Sequence, residues 1–304
     1  MGRRKNTDME GKRMAGRDEN TENRRILVTG STGFLGSRIV REYRERYRVS
    51  APGHSEMDLC DEASVKAYVE AAKPEIVIHC AAVSDTGKCQ EYPEESRRIN
   101  VEGTGYLARA CAREGAKLIF CSSDQIYFGS AGMEPHREDE EVNPAGEYGR
   151  QKLEAERRCM ELCPDSVCLR LCWMYDRERL LEKEHGNFLT AFLQALKEGR
   201  EMSYPVYDYR GITDVRLVVE KLLQAFCLPG GVYNFGSENE YNTYETVRRL
   251  LEGLGYSTEK LKKNETAFAG NPRNIRIHMG KARKFGIEFP KTLEQLLSIK
   301  EQLL

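Results

Sequence analysis

The stretch RRILVTGSTGFLGSRIV, residues 24–40, places Gly30, Gly33 and Gly36 at every third position between two apolar runs. An apolar strand, a glycine turn and a helix opening make the context that a dinucleotide loop requires. Gly30 permits a tight turn after Thr29. Gly33 lets the backbone approach a pyrophosphate, and Gly36 lets the helix lie close to the sheet. The helix start, with Thr32, Phe34 and Leu35, offers N–H groups and partial positive charge to phosphates. The spacing is G-x-x-G-x-x-G rather than G-x-G-x-x-G, so the motif alone leaves a glycine-rich turn without function as the alternative.

Working outward, apolar runs alternate with helix-period stretches. Residues 25–30, 48–53, 75–80, 117–123 and 166–172 read as strands. Residues 33–47, 62–72, 94–115 (stopped by Gly115) and 147–162 read as helices. Strands rich in Val, Ile, Leu and Cys without polar alternation are buried on both faces. The alternation predicts an α/β fold with a doubly wound, Rossmann-like parallel sheet. After Trp173 the rhythm loosens. A charged loop over 176–186 precedes helices at 187–199, 215–226, 243–255 and 292–304, with a short strand at 231–236. We therefore expect a dinucleotide-binding domain over 25–172, completed by 211–238. A smaller, mainly helical substrate lobe is expected from 173–210 and 239–304.

Composition excludes several classes. The chain of 304 residues carries a net charge of −1, which offers no general attraction to nucleic acid or acidic membrane. The apolar runs are too short for a membrane span. Residues 1–24 hold almost no large apolar side chains and read as a disordered tail. That tail lacks the apolar stretch of a signal peptide, and Asn6 stands where a myristoylation signal has Ser or Thr. The ten cysteines form no C-x-x-C pair and sit largely in apolar runs, which fits free thiols in a cytoplasmic protein. The five histidines show no metal-ligand spacing.

Further motifs narrow the reading. IHCAA (78–82), FCSSDQIYFG (120–129), YGRQKLEAE (148–156) and LRLCWMY (169–175) follow the glycine loop in order. This series resembles the extended short-chain dehydrogenase/reductase superfamily, and within it the dTDP-4-dehydrorhamnose reductase-like branch. The match is good from Arg25 to about Tyr175 and thin beyond.

Tyr148 and Lys152 are spaced i, i+4 and share a helix face. A phenol with a pKa near 10 is a poor acid at neutral pH, and a nearby ammonium favours its ionised form. Such a pair can exchange a proton with a ketone oxygen as hydride arrives at carbon. The resemblance implies that Lys152 also binds the nicotinamide ribose and that Ser123 polarises the substrate carbonyl. Ser122 reads as a local turn or cap residue. Asp124 is expected to support the site or contact substrate. Ala81 and Ala82 are implied to line the cofactor.

At the adenine end, Asp58 and Leu59 match the family's adenine-contacting pair. Residues 50–55 contain no acid for a ribose 2′-hydroxyl, and His54 and Ser55 can receive a 2′-phosphate. NADP(H) is favoured, with NAD(H) left open. Arg38 is a further cation, expected to face solvent. The substrate side departs from the branch. DTGKCQ keeps Lys88 but loses the flanking acids. DYRGITD keeps Asp208 and Gly211, and NPRN lacks a leading Arg. Lys88, Asp124, Asn187 and Arg210 are the expected substrate contacts. Arg273 and Arg276 can also meet a diphosphate, or be ordinary surface arginines.

Two classes of function follow. One is an NADP(H)-dependent reductase of a keto group on a nucleotide-linked sugar, with an epimerase or dehydratase as a related reading. SSDQ has only one of the two acids usual in the dehydratases. The other is a regulatory subunit that keeps the cofactor, resembling the β subunit of methionine adenosyltransferase. The expected partner is a small-molecule substrate, and a homodimer is left open.

Overall fold

The computed structural model describes residues 23–180 and 186–300. Residues 1–22 of the expected tail, part of the charged loop over 176–186 and the end of the helix expected over 292–304 therefore lie outside the described residues.

The first half follows the predicted alternation. β1 (Arg25–Thr29), α1 (Phe34–Tyr43), β2 (Arg48–Ser50), α2 (Glu62–Ala72) and β3 (Ile76–His79) come first. Next come α3 (Thr86–Glu91), α4 (Pro93–Arg97), α5 (Thr104–Glu114), β4 (Lys117–Ser123), α6 (Glu147–Leu162) and β5 (Val167–Leu171). The second half adds β6 (Trp173–Tyr175), α7 (Phe188–Glu198), β7 (Met202–Pro205), β8 (Asp208–Tyr209), β9 (Ile212–Asp214), α8 (Val215–Ala225) and β10 (Gly231–Phe235). It closes with α9 (Thr243–Leu254), β11 (Leu261–Asn264), β12 (Arg273–Asn274), α10 (Gly280–Arg283) and α11 (Thr292–Leu297).

Six strands form one parallel sheet in the order β10-β5-β4-β3-β1-β2. The order reverses between β1 and β3, and in such sheets ligands bind beyond the strand ends at that point. Both faces of the sheet are covered. α2, α5 and α6 pack Val65, Leu107 and Ala155 on one face. α1 and α8 pack Ile39, Tyr43 and Leu222 on the other. A third cluster, with Phe192, Val247 and Leu296, forms the core of the second lobe. Besides its helices, that lobe contains strand pairs β7·β11 and β8·β12, while β6·β9 joins it to the sheet domain. Strands β8, β9, β11 and β12, of two to four residues, lie in no apolar run comparable to those of the sheet, so the sequence did not reveal them.

The helix expected over 94–115 is not one regular helix. Between α4 and α5 it widens into a π turn, Arg98–Gly103. There the Thr104 hydroxyl donates to the Asn100 carbonyl at 2.8 Å. The wide turn swings the Asn100 side chain into the interior, where it is 1% exposed.

Arg38 corrects an expectation. It does not face solvent but is 2% exposed, and its Nε lies 2.6 Å from Asp176 Oδ2. Its guanidinium also lies 4.0 Å from the Phe34 ring centroid. The segment leaving β6 covers this face of α1, and helical periodicity cannot show an acid 138 residues away.

Gly36 sits where α1 crosses the β1 turn. A Cβ there would lie 2.2 Å from the Gly30 carbonyl oxygen. Gly36→Ala is expected to lower stability by about 1–3 kcal/mol or more, because backbone must move to admit it. Urea denaturation measures this, and an unchanged midpoint would show that α1 shifts freely.

Candidate active site

The cofactor end is built from backbone. Gly30 has φ +68°, and a Cβ on it would lie 2.6 Å from the Ala81 amide nitrogen. The turn after β1 is thus pressed against the segment after β3. Gly33 caps α1 with no side chain over the helix end. The N–H groups of the first turn, including those of Phe34 and Leu35, are left without intrahelical partners. Thr32 and Gly33 are exposed above them, while Leu35 is buried and fixes the helix to the core. Glycines a Cβ would block, below an open helix N-terminus, fit the pyrophosphate of a dinucleotide.

A buried polar chain supports this cradle. The Ala81 N–H donates to Thr29 Oγ1 at 3.2 Å, and Thr29 Oγ1 meets His79 Nδ1 at 2.7 Å. His79 Nε2 meets Thr104 Oγ1 at 2.9 Å. Because the Thr104 hydroxyl donates to Asn100, His79 must donate from Nε2 and accept at Nδ1. Burial, then the Lys152 charge, pushes the His79 pKa down to about 3, so the ring is neutral. Asn100 continues the chain to α6, donating to Gln151 Oε1 at 2.8 Å. Thr29, His79, Asn100, Thr104 and Gln151 were all missed from the sequence. Polar residues inside apolar strands and helix faces were the signal available.

At the adenine end, His54 and Ser55 are exposed in the turn after β2. Glu56 folds back there to accept the Gly53 N–H at 2.9 Å. Asp58 is exposed and accepts the Cys60 N–H at 2.8 Å, and Leu59 is buried beside it. Arg38 is held by Asp176 and donates to the Glu178 carbonyl at 3.0 Å.

The groups expected to handle protons converge at the end of β4. A Cβ on Gly149 would lie 2.5 Å from the Gln125 carbonyl oxygen, so glycine lets α6 settle onto the turn after β4. This draws Tyr148 towards Ser123. Lys152 is 3% exposed and donates from Nζ to the Cys121 carbonyl at 2.8 Å. Its Nζ lies 5.8 Å from the Tyr148 ring centroid. Burial lowers the Lys152 pKa. Burial also raises that of Tyr148, aided by Cys89, Asp124 and Cys121, while the Ser123 hydroxyl eases the rise. The expected depression of the phenol by Lys152 is therefore not what prevails. At neutral pH Tyr148 is protonated and suited to donate.

Ser123 and Ser122 exchange the expected capping role. Ser123 Oγ accepts the Gln125 N–H at 3.2 Å, capping the short turn, whereas Ser122 Oγ is buried with no partner. The β pleat explains this, since neighbouring side chains point to opposite faces. Ser123 Oγ also lies 3.3 Å from Asp124 Oδ1. Behind α6, Glu156 forms a buried pair with Arg170 at 2.8 Å, and Arg170 donates to the Tyr127 hydroxyl at 2.8 Å.

The second lobe contributes charge. Asp208 receives Arg273 through two bonds of 2.8 and 2.9 Å, and the Thr243 hydroxyl at 3.0 Å. Burial pushes the Asp208 pKa up, but Arg210, Arg273 and Thr243 outweigh it and hold the carboxyl below its ordinary range. Arg210 reaches Asp208 only through Nε, at 3.3 Å, and lies 5.0 Å from the half-exposed Trp173 ring. It faces Asp124. Arg210 and Arg276 are 8% and 9% exposed, so neither is a surface arginine. Arg276 is turned onto the backbone oxygens of Glu240 and Met133. Asn187 caps α7 through Oδ1 and donates to the Asp176 carbonyl at 2.9 Å. Lys88 is exposed on α3.

Glu156→Leu leaves a buried guanidinium without its carboxylate and is expected to cost about 3–5 kcal/mol. The double variant with Arg170→Met should recover part of this. Denaturant midpoints test the pair, and strict additivity would mean that the two charges act independently.

Comparisons with known proteins place this geometry. The model of the RmlD substrate binding domain matches residues 24–299. Methionine adenosyltransferase 2 subunit beta of Bos taurus is 25% identical over 290 residues, 90% of this chain and 86% of that protein. The spore coat polysaccharide biosynthesis protein SpsK of Bacillus subtilis is 27% identical over 237 residues, 77% of this chain and 81% of that one. In fold, the chain is similar to the dTDP-4-dehydrorhamnose reductase of Bacillus anthracis, solved in complex with NADP. The TM-score is 0.80 at 21% identity, covering 93% of this chain and 100% of that one.

Proposed function

This chain belongs to the RmlD substrate binding domain family, and from that premise we propose that it is an NAD(P)H-dependent reductase of a keto group on a nucleotide-linked sugar. The observation that carries this reading is the gathering of Ser123, Tyr148 and Lys152 at the end of β4, beside the glycine cradle of β1 and α1. A reduced nicotinamide, when bound, supplies the hydride. Gly30, Gly33 and the first turn of α1 hold its pyrophosphate, and Lys152 binds the ribose next to it. Ala81 and Ala82 line its path. Asp58 and Leu59 meet the adenine, and His54 and Ser55 receive a 2′-phosphate.

Ser123 orients the keto oxygen, and Tyr148 gives it a proton as the carbon is reduced. The raised phenol pKa keeps that proton in place until the oxygen becomes basic. Arg210, whose bond to Asp208 uses Nε alone, and Arg273 bind the diphosphate. Lys88 approaches the same substrate from the α3 side. An assay of NADPH oxidation against a panel of keto sugar nucleotides tests the proposal, and no turnover with any member overturns it.

A second reading is a cofactor-holding partner subunit. The likeness to methionine adenosyltransferase 2 subunit beta over nine-tenths of the chain favours it. Co-elution with a methionine adenosyltransferase catalytic subunit, without NADPH turnover, would decide for that reading.

Tyr148→Phe keeps the ring and removes one hydroxyl. Turnover is expected to fall by about 10²–10⁴ with cofactor affinity unchanged. Lys152→Met should weaken both. Wild-type turnover in Tyr148→Phe would remove the tyrosine from the chemistry.

Fluorescence titration should find NADPH bound more tightly than NADH, since residues 50–55 hold no acid to bind a free ribose hydroxyl. NADH binding at least tenfold tighter, about 1.4 kcal/mol, would reverse the assignment.

A further inference from the structure

Asp124 is a buried acid to which the steps above give no task. It opens the short turn Asp124–Tyr127 immediately after Ser123 and is 3% exposed. Its Oδ1 lies 3.3 Å from Ser123 Oγ, while its Oδ2 has no hydrogen-bond partner. Ser123 is also the side chain whose hydroxyl eases the rise of the Tyr148 pKa, so the two belong to one cluster. Asp124, Ser123 and Tyr148 thus form one cluster of proton-exchanging oxygens at the end of β4.

We propose that Asp124 is the proton reservoir of the reduction, refilling Tyr148 through the Ser123 hydroxyl. The inference rests on the reductase reading. Tyr148 loses its hydroxyl proton to the keto oxygen, whose carbon has taken the hydride. The phenolate then takes the proton of Ser123, breaking one O–H bond and forming another. Ser123 is refilled from the Asp124 carboxyl, which becomes a carboxylate and later regains a proton from water. One hydride and one proton reach the substrate, and no other reactant is needed.

The surroundings keep this carboxyl loaded. Burial raises its pKa to about 7 against the opposing charges of Arg210 and Arg273 and the Ser123 hydroxyl, and Asp208 adds to the rise. Tyr148 from α6 and Cys172 after β5 also face it, both uncharged at neutral pH. An ordinary aspartate would be ionised there and could deliver nothing. Ser123 alone could carry a proton but has no acidity with which to replace it.

The test is Asp124→Asn, which keeps the shape and removes the acid. Its folding is checked first. An acid whose folded pKa exceeds its unfolded value stabilises the fold at low pH, and that contribution is lost as pH rises to about 7. The variant should therefore melt no lower than the wild type at about pH 8. Infrared difference spectra of the cofactor-free protein, recorded across neutral pH, should show a protonated carboxyl titrating near 7 in the wild type and absent from the variant. A carboxyl that titrates near 4 overturns the proposal whatever the protein's activity.

With a keto sugar nucleotide that turns over, wild-type kcat should fall as pH rises through about 7. The variant should lose that limb, with kcat lowered about 10–100-fold and KM held within about twofold. A variant that keeps the wild-type pH profile overturns the proposal and leaves the reductase reading standing. No turnover by the wild type on any member of the panel overturns both.

Discussion

The structure depends on how closely three pieces of backbone approach one another: the turn at Gly30, the segment after β3, and the first turn of α1. A Cβ at Gly30 would strike Ala81, and one at Gly36 would strike Gly30 itself. With side chains at these places the helix N-terminus would stand away from the sheet reversal. The open N–H groups would then point past the crevice rather than into it. The partial charge of a helix end falls off within about one turn, so small displacements matter.

The same approach is passed inward by hydrogen bonds. Ala81 is held by Thr29, Thr29 by His79, His79 by Thr104, and Asn100 turns from Thr104 to Gln151 on α6. Each is buried, so an unpaired member would forfeit its hydration without replacement. Neutral His79 is suited to the middle of this series, because one ring nitrogen donates and the other accepts. The cofactor cradle and the helix that carries Tyr148 are thus positioned by one connected set of polar groups.

What was legible in the sequence was local. The five strands were visible as apolar runs and their helices through their period, and Gly30, Gly33 and Gly36 because their spacing is contiguous. Tyr148 and Lys152 were visible through one helical turn. Arg38 was misread because its partner, Asp176, is remote in the chain. The π turn at Asn100 was invisible because it is a change of winding within residues that still favour helix. Ser122 and Ser123 were confused because only the pleat decides which of two adjacent hydroxyls turns onto the next turn. The pairing of Asp208 with Arg273 needed the two-residue strands β8 and β12, which carry no pattern. Around the candidate site, motif spacing singled out Ser123, Tyr148 and Lys152, while the raised pKa of Asp124 comes from burial that no spacing encodes.

The position of β10 bears on how the chain reaches this state during synthesis. It pairs with β5 only after the whole of residues 172–230 has been made. Until then β5 presents an open strand edge, which is a template for joining another chain. Asn234 on β10 also accepts the Tyr127 hydroxyl at 2.7 Å, tying the turn that follows Ser123. A nascent chain that has already displayed its glycine loop and Tyr148 is therefore still unfinished at the reacting end. Contacts of such long sequence separation close slowly. The interval between the emergence of β5 and that of β10 is the period in which this protein is most exposed to aggregation.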